Sequence, residues 1–297
     1  MSDLESSRFD SAFPPLSAPA VVVNLPREIR DLFGWTPATT EKTKKNCEKI
    51  FSTPIGPNNS DRSNLPSMQI AAHMLESMGI PKTKVAADLG EGGEIEGWES
   101  EPGSVLEKVL EKDLLLGLNA RDPDRTWLVE RHRPVTDFAQ FLHLSEIQRL
   151  LDENPTLKST FGGDYQIETD VCVGVENSSD PSARPFLHAA ISSKWTIRSD
   201  RVQNVRHEFA TLVRNRRGRS PHLIAVTAEP LPSRILSIAR GTGEVDNVYH
   251  LLFEHLEIAI GDLWGDLSDV QKSAWTEMTE QKRLRPYSSL VSDLTLS

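Results

Sequence analysis

An aspartate, a lysine and a glutamate lie between positions 170 and 208, of types that suit hydrolysis of a phosphodiester by a metal-activated water. That reaction needs a water made nucleophilic near neutral pH, positive charge on the scissile phosphate and a stabilised leaving oxygen. Two divalent cations about 4 Å apart supply all three. Mg²⁺ takes oxygen ligands and keeps several waters, so a few carboxylates and a backbone carbonyl suffice to hold it. Asp170 falls in a segment, Tyr165 to Val175, that alternates like a strand. Lys194 falls in the next such segment, where Ile191, Ser193, Trp195 and Ile197 alternate. Glu208 sits in the helical pattern of Val202, Val205, Phe209, Leu212 and Val213, which stops at Gly218. Strand, strand and helix can bring the three to one sheet edge, where Lys194 would orient or help deprotonate the attacking water.

Arg198, Asp200 and Arg201 stand at the junction of that second strand and the helix. Side chains at a helix N-terminus can enter a major groove. Arginine reads guanine O6 and N7, and a carboxylate accepts from the N4 amino group of cytosine, so the triplet suits a core of G·C pairs. Taken singly, each residue has a structural explanation as a turn former, a snorkelling lysine or a solvated helix face. Their coincidence points to a site. Arg214, Arg216, Arg217 and Arg219 are phosphate-contacting or solvent-facing charges without base information. His188, His207, His222, His250 and His255 have no ligand spacing.

The elements that must position these groups follow from periodicity. Helical stretches are expected at Pro26 to Phe33 and Ser67 to Ser77, flanking a polar, turn-prone segment around TPIGPNNSDRSNLP. Ala87 to Gly103 reads as a solvated acidic loop without a phosphate-loop pattern. Ser104 to Leu116 and Phe138 to Lys158 read as helices, HLIAVTAE as a buried strand, and Ser233 to Ala239 and Val245 to Ile260 as further helices before a polar tail. Ser233 is a candidate helix cap. The order implies an α/β core, a mixed central sheet flanked by helices. Residues 1–20 read as an arm, and 21–297 as a single domain.

The 297 residues carry a net charge of −10 and an isoelectric point near 5.4, unlike the basic balance common in nucleic-acid binders. The charge is segregated. Lys194 to Arg219 holds eight Lys and Arg against two acids, whereas Asp88 to Glu101 holds six acids and no base, so a basic surface can coexist with an acidic whole. Cys47 and Cys172 lack metal-ligand spacing. No signal-peptide pattern or membrane-length apolar run occurs, and the expectation is a cytoplasmic protein without a membrane segment.

The segments DENPTLKSTFGGDYQIETD, LHAAISSKWTIRSDRVQN, LVRNRRGRSPHLIAVTAEPLPSR and GTGEVDNVYH resemble the NgoMIV-like group of type II restriction endonucleases. This group of the PD-(D/E)XK superfamily works as tetramers on sites with a CCGG core. The similarity runs from about Asp152 to His250. It implies that Asp170 is the shared metal-bridging carboxylate, with Thr169 where the motif has proline. Ser192 matches the serine that replaces the usual acid, and Lys194 matches the catalytic lysine. The backbone carbonyl of Ser193, in place of a cysteine, would ligate metal together with Asp170 and Glu208. Gly103 to Glu107 reproduces a Gly-x-x-apolar-Glu pattern that makes Glu107 a further catalytic carboxylate.

For recognition, the resemblance implies that Arg198 and Arg201 hold guanines while Asp200 accepts from cytosines, that Arg234 reads the outer guanine of GCCGGC, and that Asp61 and Ser63 help at that pair. The group's minor-groove glutamine has no counterpart near Ser100. The implied activity is Mg²⁺-dependent cleavage of double-stranded DNA at G/CCGGC with two ions per site, leaving 5′ CCGG overhangs, by a homotetramer built as a dimer of dimers. A palindromic target itself requires at least a two-fold dimer. The alternatives are a PD-(D/E)XK nuclease with a different CCGG-containing target, a catalytically inactive sequence-specific DNA-binding protein, and an acidic interaction domain without DNA affinity.

Overall fold

The computed structural model describes residues 25–83, 102–154, 156, 167–180, 182–197, 199–241 and 243–296, with backbone alone at 102 and 199–203. The arm and most of the acidic segment expected from the sequence lie outside these residues. In order the elements are α1 (Arg27–Asp31), β1 (Trp35–Pro37), α2 (Glu41–Phe51), β2 (Ile55–Pro57), α3 (Leu65–Ser77), α4 (Pro102–Arg121), β3 (Trp127–Arg131) and α5 (Leu142–Glu153). Then come β4 (Val171–Val175), β5 (Phe186–Lys194), α6 (Ser199–Asn215), β6 (His222–Thr227), α7 (Pro232–Ala239) and β7 (Asn247–His250). α8 (Phe253–Asp262), α9 (Asp269–Glu280), β8 (Leu284–Pro286) and α10 (Leu290–Thr295) complete the chain.

Among the described residues, six strands form one mixed sheet in the order β3-β4-β5-β6-β7-β8. β3, β4 and β5 pair antiparallel, and β5 through β8 pair parallel. This is the α/β architecture expected. Seven consecutive residues of β5, Leu187 to Ser193, are buried, because a parallel interior strand is covered on both faces. The same reason makes β6 a continuous apolar run. α6 is the crossover from β5 to parallel β6. One core of buried residues extends from Ile29 to Leu294. No helix among the described residues is long and apolar enough to cross a membrane.

Several boundaries differ from the sequence expectation, each for a tertiary reason. β5 ends at Lys194, not Ile197: the Ile197 amide donates to the Glu229 carboxylate, so a side-chain acceptor takes the place of a ladder partner. Val245 to Ile260 is not one helix. Asn247–His250 pairs parallel with β6, and the helix begins only at Phe253. The polar tail is structured as α9, β8 and α10, which bury Trp275, Met278, Leu290 and Leu294. The lysine-rich α2 and the β1–β2 hairpin were not visible in the pattern. α2 buries only Cys47 and Phe51 and relies on a Thr40–Thr43 capping box.

Ile224 lies in β6 opposite Ile191 of β5 and is 2% exposed. Ile224→Ala is expected to cost about 2–5 kcal/mol of unfolding free energy, read as a lower midpoint in urea. An unchanged midpoint would contradict the placement of β6 in the core.

Candidate active site

The antiparallel register of β4 and β5 sets Val171 against Ile191, so Asp170, just before β4, falls beside Ser192. Its Oδ2 then accepts three hydrogen bonds: from Lys194 Nζ at 2.6 Å, the Ser193 amide at 2.7 Å and Ser192 Oγ at 3.1 Å. The Lys194–Asp170 pair is largely shielded, its side chains 19% and 23% exposed. Ser192 and Ser193 are buried, and Ser193 Oγ makes no hydrogen bond to the described groups.

Lys194 opens onto a cleft of about 670 Å³ lined by Gly103, Ser104, Glu107, His132, Ser193, Trp195, Thr196, Asn204 and Glu208. Glu107 comes from the first turns of α4 and Glu208 from α6. Burial pushes both carboxyls above the usual carboxylate range, and the Asp170 charge adds to the shift. Lys194 opposes it for both, and His132 opposes it for Glu107. The structure therefore assembles Asp170, Ser192, Ser193, Lys194, Glu107 and Glu208 around one cleft. It adds His132, whose Nε2 stands 3.0 Å from Glu107 Oε2. The His132 φ of 51° is left-handed, which an L-residue rarely adopts and which is often retained at functional sites.

Glu107 and Glu208 line the cleft beside Asp170, and carboxylate oxygens are donors of the kind that Mg²⁺ prefers. A cation would also relieve the crowding that raises the proton affinity of Glu107 and Glu208. Among the described residues no three acidic, histidine or cysteine groups form a closed cage. An ion that keeps several waters does not require one.

Of the expected base readers, Arg198 lies outside the described residues. Asp200 and Arg201 fall in the first turn of α6, their side chains likewise outside. Arg234, in the first turn of α7, binds Asp61 through Nη2. Asp61 Oδ1 accepts from the Ser63 amide at 2.9 Å, so Ser63 shapes the turn that presents Asp61. Ser233 does not cap α7; its amide and hydroxyl both bond to Gln271. The basic cluster is displaced from the site. Arg214 lies in the last turn of α6 and Arg216, Arg217 and Arg219 follow its end, and the helix is about 25 Å long at 1.5 Å per residue.

The sequence model of the NgoMIV restriction enzyme family matches residues 44–182 and 176–296. The chain belongs to the NgoMIV restriction enzyme family. The type II restriction enzyme NgoMIV of Neisseria gonorrhoeae is 40% identical to it over 186 residues, 54% of this chain and 64% of that enzyme. The match thus spans less than two thirds of the relative's length.

Within this NgoMIV-family chain, sequence reasoning missed His132 and Glu229. His132 lies in no motif, and its left-handed backbone has no sequence signature outside glycine and asparagine. Glu229, at the end of HLIAVTAE, looks like an ordinary loop acid, yet it is 0% exposed.

A carboxyl whose proton affinity rises on folding binds protons more tightly in the native than in the unfolded chain. It therefore weakens the fold as pH rises past its unfolded value. Glu208→Gln removes that penalty. The metal-free variant should melt above wild type at about pH 8, with the gap closing toward about pH 4, near the unfolded value. A variant that melts lower at the higher pH would contradict the burial assigned to Glu208 in the cleft.

Proposed function

We propose that this protein is a type II restriction endonuclease that hydrolyses both strands of DNA at G/CCGGC and leaves 5′ CCGG overhangs. The observation that carries the reading is the Asp170–Lys194 pair at the carboxylate-lined cleft, with α6 leading from its edge, in a chain of the NgoMIV family. We read residues 21–297 as one domain, on the evidence of a single contiguous core. The site on the cytoplasmic DNA of the cell fits the two free cysteines and a reducing compartment.

Asp170, the Ser193 carbonyl and Glu208 would hold Mg²⁺, two ions per site in this reading. When bound, the metal supplies positive charge to the phosphate and lowers the pKa of water. Lys194 Nζ, already fixed on Asp170, orients the attacking water and offsets charge on the phosphate as the bond to the leaving sugar oxygen breaks. Ser192 holds Asp170 in position, and Glu107 adds a further carboxylate to the same cleft. Arg198 and Arg201 read the inner guanines and Asp200 the adjacent cytosines. Arg234 reads the outer guanine while Asp61, positioned by Ser63, accepts from the paired cytosine. A palindromic site requires a two-fold reader, and a homotetramer of two back-to-back dimers holds two duplexes.

A different CCGG-containing target is favoured by one observation. Arg234 lies in a segment of strong resemblance, but the group's minor-groove glutamine has no counterpart near Ser100, and Asp61 and Ser63 lie outside the segments of strongest resemblance.

Digestion of a plasmid with mapped GCCGGC and other CCGG sites, with Mg²⁺ and with EDTA, should give metal-dependent cuts at GCCGGC alone. Cuts at another CCGG set would keep the nuclease and reassign the outer pair; no cuts would sink the hydrolytic reading. Lys194→Ala should slow cleavage by about 10²–10⁴-fold while specific binding in Ca²⁺ persists. Lost binding would contradict the role given to Lys194. Arg201→Ala should cost about 1–3 kcal/mol at its guanine, measured as binding to cognate against substituted duplexes, and unchanged discrimination there would remove Arg201 from the readers.

A further inference from the structure

The loop between β6 and α7 carries a carboxylate that hydrolysis leaves without a task. Glu229 is 0% exposed, and a carboxylate taken out of water is costly unless it is paired and hydrogen-bonded. Its Oε2 accepts from the Ile197 amide at 2.8 Å and its Oε1 from the Leu231 amide at 3.2 Å. Arg234 Nη1 is buried 3.9 Å from Oε2 and makes no hydrogen bond to the described groups, while Nη2 holds Asp61. One carboxylate thus joins three features: the exit of the chain from β5, one residue before Arg198; the entry to α7; and the guanidinium of Arg234. The turn that carries Asp61 is tied to the same place, through Trp195 Nε1 to the Asn58 carbonyl at 3.0 Å and Asn59 Nδ2 to the Ala228 carbonyl at 3.2 Å.

We propose that Glu229 is a positioning residue for base readout, fixing the guanidinium plane of Arg234 from inside the protein so that discrimination at the outer base pair depends on a side chain that never touches DNA. The inference rests on the reading of Arg234 as a base reader. Bidentate recognition of guanine demands a set plane, and an arginine free to rotate loses side-chain entropy on binding. The two carboxylates beside Arg234 differ in what they can do. Asp61 is partly exposed and can exchange the arginine for a base, whereas Glu229 is enclosed and stays with it. An apolar residue at 229 would leave the Ile197 and Leu231 amides without their acceptor.

Burial pushes the Glu229 carboxyl up to about 7, against the pull of its amide bonds and of Arg234. The groups that face it are Asp61 from the turn, which adds to the rise, Arg234 from α7, and His250 from β7. His250 Nε2 donates to the Glu229 carbonyl at 3.1 Å, and burial holds the ring down to about 4, so it stays neutral as Glu229 titrates. Protonation below neutral pH turns one acceptor oxygen into a donor and loosens the clamp.

The test is binding selection in Ca²⁺ from a duplex library randomised across the site, with the wild type, Glu229→Gln, Glu229→Asp and Arg234→Ala, each checked for folding by thermal melting. Glu229→Gln should lose about 10-fold in discrimination, equivalent to about 1.4 kcal/mol, at the base pair where Arg234→Ala loses it, and keep preference elsewhere. Cleavage of saturating cognate DNA should keep its kcat while KM rises. Unchanged discrimination, or an equal loss at every position, overturns the inference and leaves the nuclease reading intact. A wild type that enriches no sequence overturns both. If neither carboxylate variant folds, wild-type discrimination between about pH 8 and pH 6 decides: it should fall at the Arg234 position as pH drops, and a flat profile overturns the proposal.

Discussion

The pairing register of β4 and β5 is the constraint on which the rest depends. Because side chains alternate faces with period two, a slip of one residue would turn Asp170 away from Ser192, Ser193 and Lys194. The register is held by burial on both faces of β5, where Ala189, Ala190 and Ile191 are fully enclosed. The hydrophobic core therefore does more than stabilise. It places a carboxylate oxygen against an amide, a hydroxyl and an ammonium at once, and the cleft opens where those bonds end.

Charge in this protein works against its surroundings at the site. Glu107 and Glu208 are drawn into a half-buried cleft beside Asp170, and each holds its proton more tightly as a result. Such an arrangement costs stability while the cleft holds only protein, and a cation placed among the three carboxylates would return it. The acidic net charge is unevenly spread along the chain, with the basic excess between Lys194 and Arg219 and an acidic run between Asp88 and Glu101.

The parallel pairing of β5 with β6 brings a second set of residues to that same edge. Lys194 stands opposite Thr227, so Ala228, Glu229 and the start of α7 must follow directly beside the exit from β5. Distant segments meet there: the turn carrying Asp61, the chain leaving Lys194, and the helix carrying Arg234. The loop carrying Glu229 is tied by hydrogen bonds both to the chain leaving β5 and to the turn carrying Asp61.

Much of this was legible in the amino-acid order. Local periodicity follows from backbone geometry, so β4, β6, α3, α4 and α6 could be read from it, and chemical type together with family resemblance singled out Asp170, Lys194, Glu208 and Glu107, which the fold brings to one cleft, and Arg234, which it sets beside Asp61. Elements without apolar periodicity, such as α2, were hidden, and β7 passed for part of a helix because Val248 and Tyr249 are also compatible with one. Only the tertiary structure decided where β5 stops, that the described residues after Ile260 are packed, that His132 joins Glu107, and that Glu229 is enclosed beside Arg234. These depend on contacts between residues far apart in the chain. Sequence sets what each residue can do chemically, and folding alone sets which partners it finds.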